Sequence, residues 1–463
     1  MLLRQYLSFR SARRTAGLVL LVSAFFAAGP DSQAQLDTTR KPETNAAFFY
    51  WKACGLMLQP QDCDQFDLAQ FMDSDLIQLP PRILSLQPSA LRWLLNERGM
   101  LGALDAGAQL PVCSFLIQNP GEAALDLSHL ARIRSLARRA LATAKAYEYA
   151  DNRPGAAVIY VDLFKLTRHL DQDDNATSGF LGIELLQLIL QQIEGFVCRQ
   201  PPGDAMEYLQ RYFKENHPPV FHLSNYLRSE ARRNGDWLLA APARAQERLD
   251  LLYGNSPSKP AVEQLATLPN DKKEQRLQAW VQDYRNRMNR LADAVSEPYS
   301  TGFAKVRAFD KERRKIADDP ARGDNPLVPL MVPPATDLYQ RFLLADAQFA
   351  IADILCAAAL FHAEVHTWPA KLDELTLYGH RSFSKDPFSG EDFYYKLSRD
   401  LPVVVTRVPK TMSSRTDTLY AVNLAEHSKK LDQAFENAKD HLTKKGESPD
   451  EPVPLKNPSG GKM

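Results

Sequence analysis

One long apolar stretch, residues 338–365, limits the folds that this chain can adopt. Its apolar residues recur on most sides of a helix, and a helix of that kind has to be buried. Asp346 and Asp353 interrupt the stretch, so its longest uncharged apolar run falls well short of the roughly 20 residues that cross a bilayer. The helix has to end before Trp368-Pro369, because proline lacks a backbone N–H and restricts the residue before it. The stretch therefore predicts a core helix.

Turn and strand signals follow this helix. A short amphipathic helix is predicted at 372–377 and a turn at 385–390, where Asp386 precedes Pro387 and Gly390 can take a positive φ. The runs with strand character lie at 392–397, 402–408 and 418–423. The segment thus predicts a helix followed by a turn and strands.

The motifs of this segment resemble those of two groups of proteins. Trp-Pro-x-x-Leu-x-x-Leu followed by Asp-Pro-Phe-x-Gly-x-x-Phe-x-Tyr resembles a region of uncharacterised secreted helical proteins of planctomycete-like bacteria, and is distantly similar to the C-terminal region of type II secretion major pseudopilins. The residues that carry it are Trp368, Pro369, Leu372, Leu375, Asp386, Pro387, Phe388, Gly390, Phe393 and Tyr395. The pseudopilin resemblance implies that one long helix packs on a small antiparallel sheet. Pseudopilins carry that helix at the processed N-terminus, whereas 338–365 is internal, so only the packing unit is expected to carry over.

The two ends of the chain have distinct compositions. Basic residues up to Arg14 precede an apolar run at 16–28, and small residues at 32–34 predict a signal peptide, residues 1–34, cleaved after Ala34. We therefore expect an exported protein, periplasmic or extracellular in a bacterial envelope, with no transmembrane span in the mature chain; an uncleaved anchor is the alternative. Residues 444–463 have few apolar side chains and are expected to form a disordered tail.

The region between the ends is predicted to be mainly α-helical. Helical patterns at 128–150 and 156–170, separated by a short turn, predict an αα-hairpin. Small residues along these helices are compatible with a tetratricopeptide-like array, although no repeat of fixed period is present. Five prolines at 320–334 predict a linker between a helical domain, 35–319, and a C-terminal α+β unit, 335–443, of one long helix and a small antiparallel sheet.

Export would permit disulfides in the mature chain. The chain has five cysteines, so at least one stays unpaired or pairs between chains. Cys54 and Cys63 are the best candidates for an intramolecular disulfide, because the short segment between them contains Pro60 and can bring them together.

Only one pair of residues suggests a metal or catalytic site. His362 and His366 are four residues apart near the end of the predicted core helix, so both imidazoles could face one zinc ion. The zinc-protease pattern needs Glu after the first His, where this chain has Ala363. The alternative interpretation is two polar residues in a last helical turn. Asp386 could act as an acid, but its place before Pro387 favours a turn role.

Charge and motifs exclude several functions. Lys plus Arg and Asp plus Glu are balanced at 56 each, and no aromatic residues interleave with the arginines at 132–139, so nucleic-acid binding is not expected. No cofactor is predicted, because phosphate-binding and dinucleotide-binding glycine motifs are absent.

The leading hypothesis is a secreted or periplasmic, non-catalytic scaffold or binding protein whose ligand, an unknown protein or envelope partner, the sequence does not specify. One alternative is a hydrolase whose scattered site lies near His362 and His366. The other is a pseudopilin-like component of an envelope secretion system.

Overall fold

The mainly helical fold with a small antiparallel sheet is confirmed. A computed structural model describes residues 44–58, 80–86, 88–115, 128–173, 176–199, 203–240, 249, 263, 265, 267–318, 325–377, 382–406 and 420–444. The predicted signal peptide, Cys63 and residues 445–463 lie outside these described residues.

Helices make up nearly all of the described chain before the sheet. They are α1 (Ala46–Leu56), a 3-10 helix (Pro81–Leu86), α2 (Pro88–Leu95), α3 (Arg98–Ala108), α4 (Ser128–Tyr149), α5 (Arg153–Asp171), α6 (Ala176–Cys198), α7 (Gly203–Glu215), α8 (Leu223–Leu239), α9 (Asn270–Val295), α10 (Tyr299–Asp318), α11 (Leu327–Met331), α12 (Ala335–Val365) and α13 (Leu372–Leu377). Strands β1 (Tyr394–Ser398), β2 (Leu401–Val405) and β3 (Ala421–Asn423) follow, and α14 (Leu424–Lys444) ends the described part.

The predicted αα-hairpin is formed by α4 and α5. The side chain of Asn152 accepts a hydrogen bond from the backbone N–H of Gly155 (3.1 Å) and so caps α5. Ala140 and Ala156 are fully buried, and α4 contacts α5. Small residues at these positions let the two backbones approach closely.

The predicted core helix is α12, which is surrounded by other helices of the chain. It contacts α6, α7 and α10. The ring of Phe349 lies 4.8 Å from that of Phe213, 5.8 Å from that of Phe164 and 6.3 Å from that of Tyr212, measured between centroids. These edge-to-face contacts fix α12 against α5 and α7.

The two carboxylates that interrupt α12 are buried and have specific donors. Asp346 accepts a hydrogen bond from the backbone N–H of Val220 (2.7 Å), and Asp353 accepts one from the side-chain amide of Gln210 (2.9 Å). Burial raises the pKa of Asp346 to about 7, because a charged carboxylate is poorly solvated inside the protein. The polar residues that argued against a membrane span thus serve as contacts inside the core.

Both ends of α12 have defined caps. Asp310 of α10 accepts hydrogen bonds from the N–H groups of Ala335 (2.9 Å) and Thr336 (2.8 Å) at the start of the helix. At its other end, His366 takes a left-handed conformation (φ 62°) and its N–H donates to the carbonyl of His362 (2.9 Å). Such a residue ends a helix because it turns the chain away from the axis.

The sheet has the strand order β1-β2-β3, with both pairs antiparallel. Arg399 and Asp400 both have positive φ (54° and 59°) and join β1 to β2 in a two-residue turn, the geometry that matches the twist of a hairpin. Val404 and Val422 face each other across β2 and β3 and are buried. Because α12 contacts β2, the expected packing of a long helix on the sheet is present.

Two observations concern the predicted division into a helical domain and a C-terminal unit. One hydrophobic core includes residues from both 35–319 and 335–443, and the described end of the predicted linker contains α11, with Leu327 and Val328 buried in that core. The helix α14 was not predicted, although Asn423 caps it by accepting from the N–H groups of Ala425 (3.1 Å) and Glu426 (3.3 Å). The division into two domains stays a prediction.

Two described helices are long and apolar enough to cross a membrane by length and composition. In α6 and α12 the most apolar window is 67% and 83% buried inside the protein, respectively. Burial of this extent is typical of core helices, because a membrane span exposes much of its surface to lipid.

We expect Phe349→Ala to lower the free energy of unfolding by ~3–5 kcal/mol, because it leaves a cavity among packed aromatic rings. Val365→Ala is the control: Val365 is 40% exposed, so its truncation should change the free energy by less than ~0.5 kcal/mol. Chemical unfolding followed by circular dichroism measures both. Similar, small changes for the two variants would show that α12 is not enclosed.

Candidate functional site

The two halves of the Trp-Pro and Asp-Pro motif meet in the structure. The hydroxyl of Tyr395 in β1 donates to the carbonyl oxygen of Pro369 (3.0 Å), and Phe393 is buried. Phe388 is buried as well, its ring edge-on to that of Tyr299 at 5.1 Å. These motif residues therefore hold the sheet against the helical body.

Asp386 is fully buried and organises the turn before β1. Its side chain accepts from the N–H of Phe388 (3.0 Å), and its backbone exchanges hydrogen bonds with Gly390 and Glu391 (2.8 Å each). Gly390 has the positive φ (73°) that the sequence predicted. Turn geometry explains Asp386 and Gly390 of the Asp-Pro-Phe-x-Gly pattern, whereas Phe388 packs against Tyr299.

His362 and His366 do not share a metal-binding arrangement. The imidazole of His362 stacks on the indole of Trp368 with centroids 4.5 Å apart, while His366 is exposed and ends α12 through its backbone. Burial, followed by the charge of His366, lowers the pKa of His362. In the described part of the chain, no group of three or more His, Cys, Asp and Glu side chains could hold a metal ion. Among the residues that the structure describes, the pair therefore lacks the further ligands that zinc requires.

The predicted Cys54–Cys63 disulfide falls partly outside the described residues. Cys54 is half-buried, and its Sγ donates to the carbonyl of Arg132 (3.7 Å). Because Cys63 is not among the described residues, the pairing stays a prediction.

An Asp–His pair joins α5 to α8. Asp171 accepts from Nδ1 of His222 (2.7 Å), from its backbone N–H (3.0 Å) and from the hydroxyl of Tyr226 (2.5 Å). The hydrogen bond to Asp171 raises the pKa of His222; burial opposes ionisation of Asp171, but these donors outweigh it and lower its pKa. These hydrogen bonds position the start of α8 at the end of α5.

A larger polar cluster lies where α6 meets α4, α5 and α14. We call it the α6–α14 cluster. Its members are Lys145, Glu148, Tyr160, Glu194, Arg199, Tyr420 and His427. The cluster brings two carboxyl groups, Glu148 and Glu194, together with the basic side chains of Lys145, Arg199 and His427.

The first half of the cluster is built around Glu148. Its Oε1 accepts from the hydroxyl of Tyr160 (2.6 Å), and its Oε2 accepts from Nε (3.0 Å) and Nη2 of Arg199. The Glu148 side chain is 3% exposed, so its charge is compensated inside the protein. These bonds join α4, α5 and the end of α6.

The second half is built around Glu194. Its Oε1 accepts from the hydroxyl of Tyr420 (2.8 Å), and its Oε2 lies 3.4 Å from Nδ1 of His427. Nearby, Sγ of Cys198 donates to the carbonyl of Leu424 (3.5 Å). These contacts attach the C-terminal strand and helix to α6.

Burial shifts the pKa values within the cluster. It lowers the pKa of Lys145 to about 7, an effect that Glu148 opposes and Arg199 reinforces. It raises the pKa of Glu194 to about 7. Burial, together with the charges of Arg199, Lys430 and Lys145, lowers the pKa of His427 to about 4. Near pH 6, Glu194 is therefore mainly protonated and His427 is neutral, so their contact joins two uncharged groups.

Comparison with known proteins assigns neither a family nor a function to this chain. No protein-family model, curated protein or solved structure matches this chain. The resemblance to secreted helical proteins and to pseudopilins stays a prediction.

Sequence reasoning missed the α6–α14 cluster. Its members come from α4, α5, α6 and the C-terminal segment, and only the fold brings them together. One signal was available: Glu194 is the second of two carboxylates in the otherwise apolar helix α6. A charge placed among apolar residues in a buried helix has to find partners.

We expect His366→Gly to raise the free energy of unfolding by about 1 kcal/mol, since glycine adopts the left-handed conformation without the strain of a Cβ atom. His366→Ala, which keeps the Cβ atom, is the control and should give no such gain. Thermal and chemical unfolding measure the difference. A loss of stability in the glycine variant would indicate that the imidazole itself is needed.

We expect the stability that Glu194 contributes to depend on pH. Because its pKa is raised from 4.5 to about 7 in the folded protein, this contribution is fully present below pH 4.5 and is lost as pH rises to about 7. The free energy of unfolding of the native protein, minus that of Glu194→Gln, should therefore fall by up to about 3 kcal/mol over that interval. Urea unfolding at a series of pH values measures it.

Glu184→Gln is the matched control for this experiment. Glu184 lies on the same helix, but its side chain is 42% exposed and pairs with Arg134 at the surface. Surface ion pairs contribute little to stability. The free energy of unfolding of the native protein, minus that of Glu184→Gln, should therefore stay within ~1 kcal/mol at all pH values. Equal behaviour of the two variants would show that Glu194 is not buried in the folded protein.

Proposed function

We propose that this chain is an exported, non-catalytic binding protein. A helical scaffold holds the C-terminal sheet and α14, and the binding centre is the open side of the α6–α14 cluster. The predicted leader supports a location in the periplasm or outside the cell, with a partner or ligand in the bacterial envelope.

The observation that supports this proposal is the uneven exposure of the cluster. The side chains of Arg199 and His427 are 31% and 23% exposed, whereas that of Glu148 is 3% exposed. A ligand could therefore reach two hydrogen-bond donors without opening the fold. Their positions are fixed beforehand by Glu148 and Glu194, and such preorganisation favours binding.

A binding role agrees better with the cluster than a reaction does. Both oxygens of Glu148 are occupied by donors, and Tyr160 donates to one of them. A general base or nucleophile needs to be free to exchange a proton with a substrate. The hydrolase alternative also loses its candidate site, because His362 stacks on Trp368 and His366 serves as a helix end.

The secretion-system alternative rests on the packing of α12 against the sheet. In this chain, however, α12 is enclosed by α6, α7 and α10. It has little surface left with which to pack against the same helix of other copies. We therefore favour a scaffold over an assembling filament subunit.

Expression of the full chain in a bacterium that has a periplasm tests the proposal. We expect the chain in the periplasmic or extracellular fraction, with an N-terminal sequence that begins at Gln35. With ester, phosphate-ester, glycoside and peptide substrates, we expect turnover no higher than that of the Lys145→Met variant. An intact Met1, or turnover that Lys145→Met or His362→Ala abolishes, would contradict the proposal.

A further inference from the structure

We infer that the solvent-exposed face of α10 binds an acidic polypeptide segment of a protein partner. This face carries four basic side chains, which we call the α10 stripe: Arg307, Lys311, Arg314 and Lys315. The helix α10 contacts α9, α11 and α12, whereas the α6–α14 cluster belongs to α4, α5, α6 and the C-terminal segment. The stripe is therefore a second surface, beyond the binding centre proposed above.

The structure separates charges that are mixed in the sequence. Residues 310–315 read Asp-Lys-Glu-Arg-Arg-Lys. The side chain of Asp310 is 4% exposed and caps α12, and one of its oxygens lies 3.7 Å from Nε of Arg313. Glu312 accepts a hydrogen bond from Arg287 of α9. Both carboxylates of the run are thus engaged by groups outside the stripe.

The cations of the stripe have no such compensation. All four are exposed, and within the described residues none of them pairs with a carboxylate. At 3.6 residues per turn they fall within about 100° of the helix circumference and extend over about 12 Å. The same face also carries small exposed residues, Ser300, Ala304 and, at its edge, Ala308. The next acidic residues in the sequence, Asp318 and Asp319, come after the stripe.

The spacing of the stripe makes its cations repel one another. Lys311 is four residues from both Arg307 and Lys315, and three residues from Arg314. Like charges at these separations are neighbours on a helix surface and destabilise the helix. A partner that brings negative charge to this face would remove the repulsion, so charge complementarity favours an anionic partner.

The borders of the stripe favour a linear partner over a flat one. On the α9 side, the side chain of Glu312 is 47% exposed. On the α12 side, Asp337 is exposed and follows Thr336, whose N–H donates to Asp310. An anionic membrane surface would bring its phosphates close to these carboxylates as well. A chain that lies along α10 contacts the cations and avoids both.

The chemistry of the stripe favours carboxylates on a polypeptide. Two of its four cations are arginines, whose guanidinium groups can form paired hydrogen bonds with a carboxylate. The stripe and the small residues beside it offer no aromatic ring for a nucleotide base to stack on. Phe303, at the border, is half-buried with its ring 4.8 Å from that of Tyr299. An acidic peptide therefore fits this face better than a single-stranded nucleic acid does.

Titration of the full chain with a fluorescently labelled poly-L-glutamate peptide, followed by anisotropy, tests the inference. We expect saturable binding that weakens at least about tenfold as sodium chloride is raised from about 50 mM to about 300 mM, because salt screens exposed charges. A lack of saturable binding at the lower salt concentration would overturn the inference.

The double variant Lys311→Glu/Arg314→Glu should weaken this binding at least about tenfold. Both side chains are exposed, so the fold should be kept, and circular dichroism checks it. Arg92→Glu/Lys272→Glu is the matched control, since it makes the same change in net charge at exposed positions of α2 and α9, and it should bind like the native protein. Equal losses in the two variants would show that net charge governs binding, and would overturn the assignment to the stripe.

Vesicles of phosphatidylglycerol and a single-stranded DNA oligonucleotide distinguish the other anionic partners, with phosphatidylcholine vesicles as the neutral reference. We expect poly-L-glutamate to bind more tightly than either. Tighter binding of the vesicles or of the oligonucleotide would overturn the choice of an acidic polypeptide. These results leave export and turnover untouched, so failure of this inference is distinguishable from failure of the proposed function.

Discussion

The burial of α12 is the constraint on which the rest of the structure depends. A helix that is apolar on most sides has to be enclosed, yet this one carries two carboxylates that water can no longer solvate. The fold resolves this conflict by bringing a donor to each: the N–H of Val220 reaches Asp346, and the amide of Gln210 reaches Asp353. An unpartnered buried carboxylate would cost several kcal/mol. The segments that carry these donors, helix α7 and the turn before α8, are therefore held in place around α12.

Local signals in the sequence were sufficient for most of the C-terminal unit. The end of α12 before Trp368, helix α13 at Leu372–Leu377, the positive φ of Gly390 and the strands all follow from proline, glycine and apolar patterns within a few residues. The missed helix α14 carries a local signal too, since Asn423 and Glu426 have the spacing of a capping box. The start of α12 could not be predicted in this way, because its cap, Asp310, belongs to another helix.

The candidate site illustrates the opposite case. His362 and His366 attract attention in the sequence because their spacing matches a known ligand pattern, but in three dimensions one ring stacks on Trp368 and the other residue ends a helix. Arg199 and His427 have no sequence pattern in common. Their proximity depends on how α14 returns to α6 after the sheet. Sequence reasoning can identify a misplaced charge such as Glu194, but it cannot identify the partner that the fold supplies.

The polar character of the α6–α14 junction has a physical reason. Apolar contacts are non-directional, and the outer surface of α6 could hold an amphipathic helix in several registers. Hydrogen bonds from Tyr420 and the approach of His427 to Glu194 are directional, and each alternative register would leave a buried carboxyl group without its donor. The junction thus trades some stability for a defined position of α14.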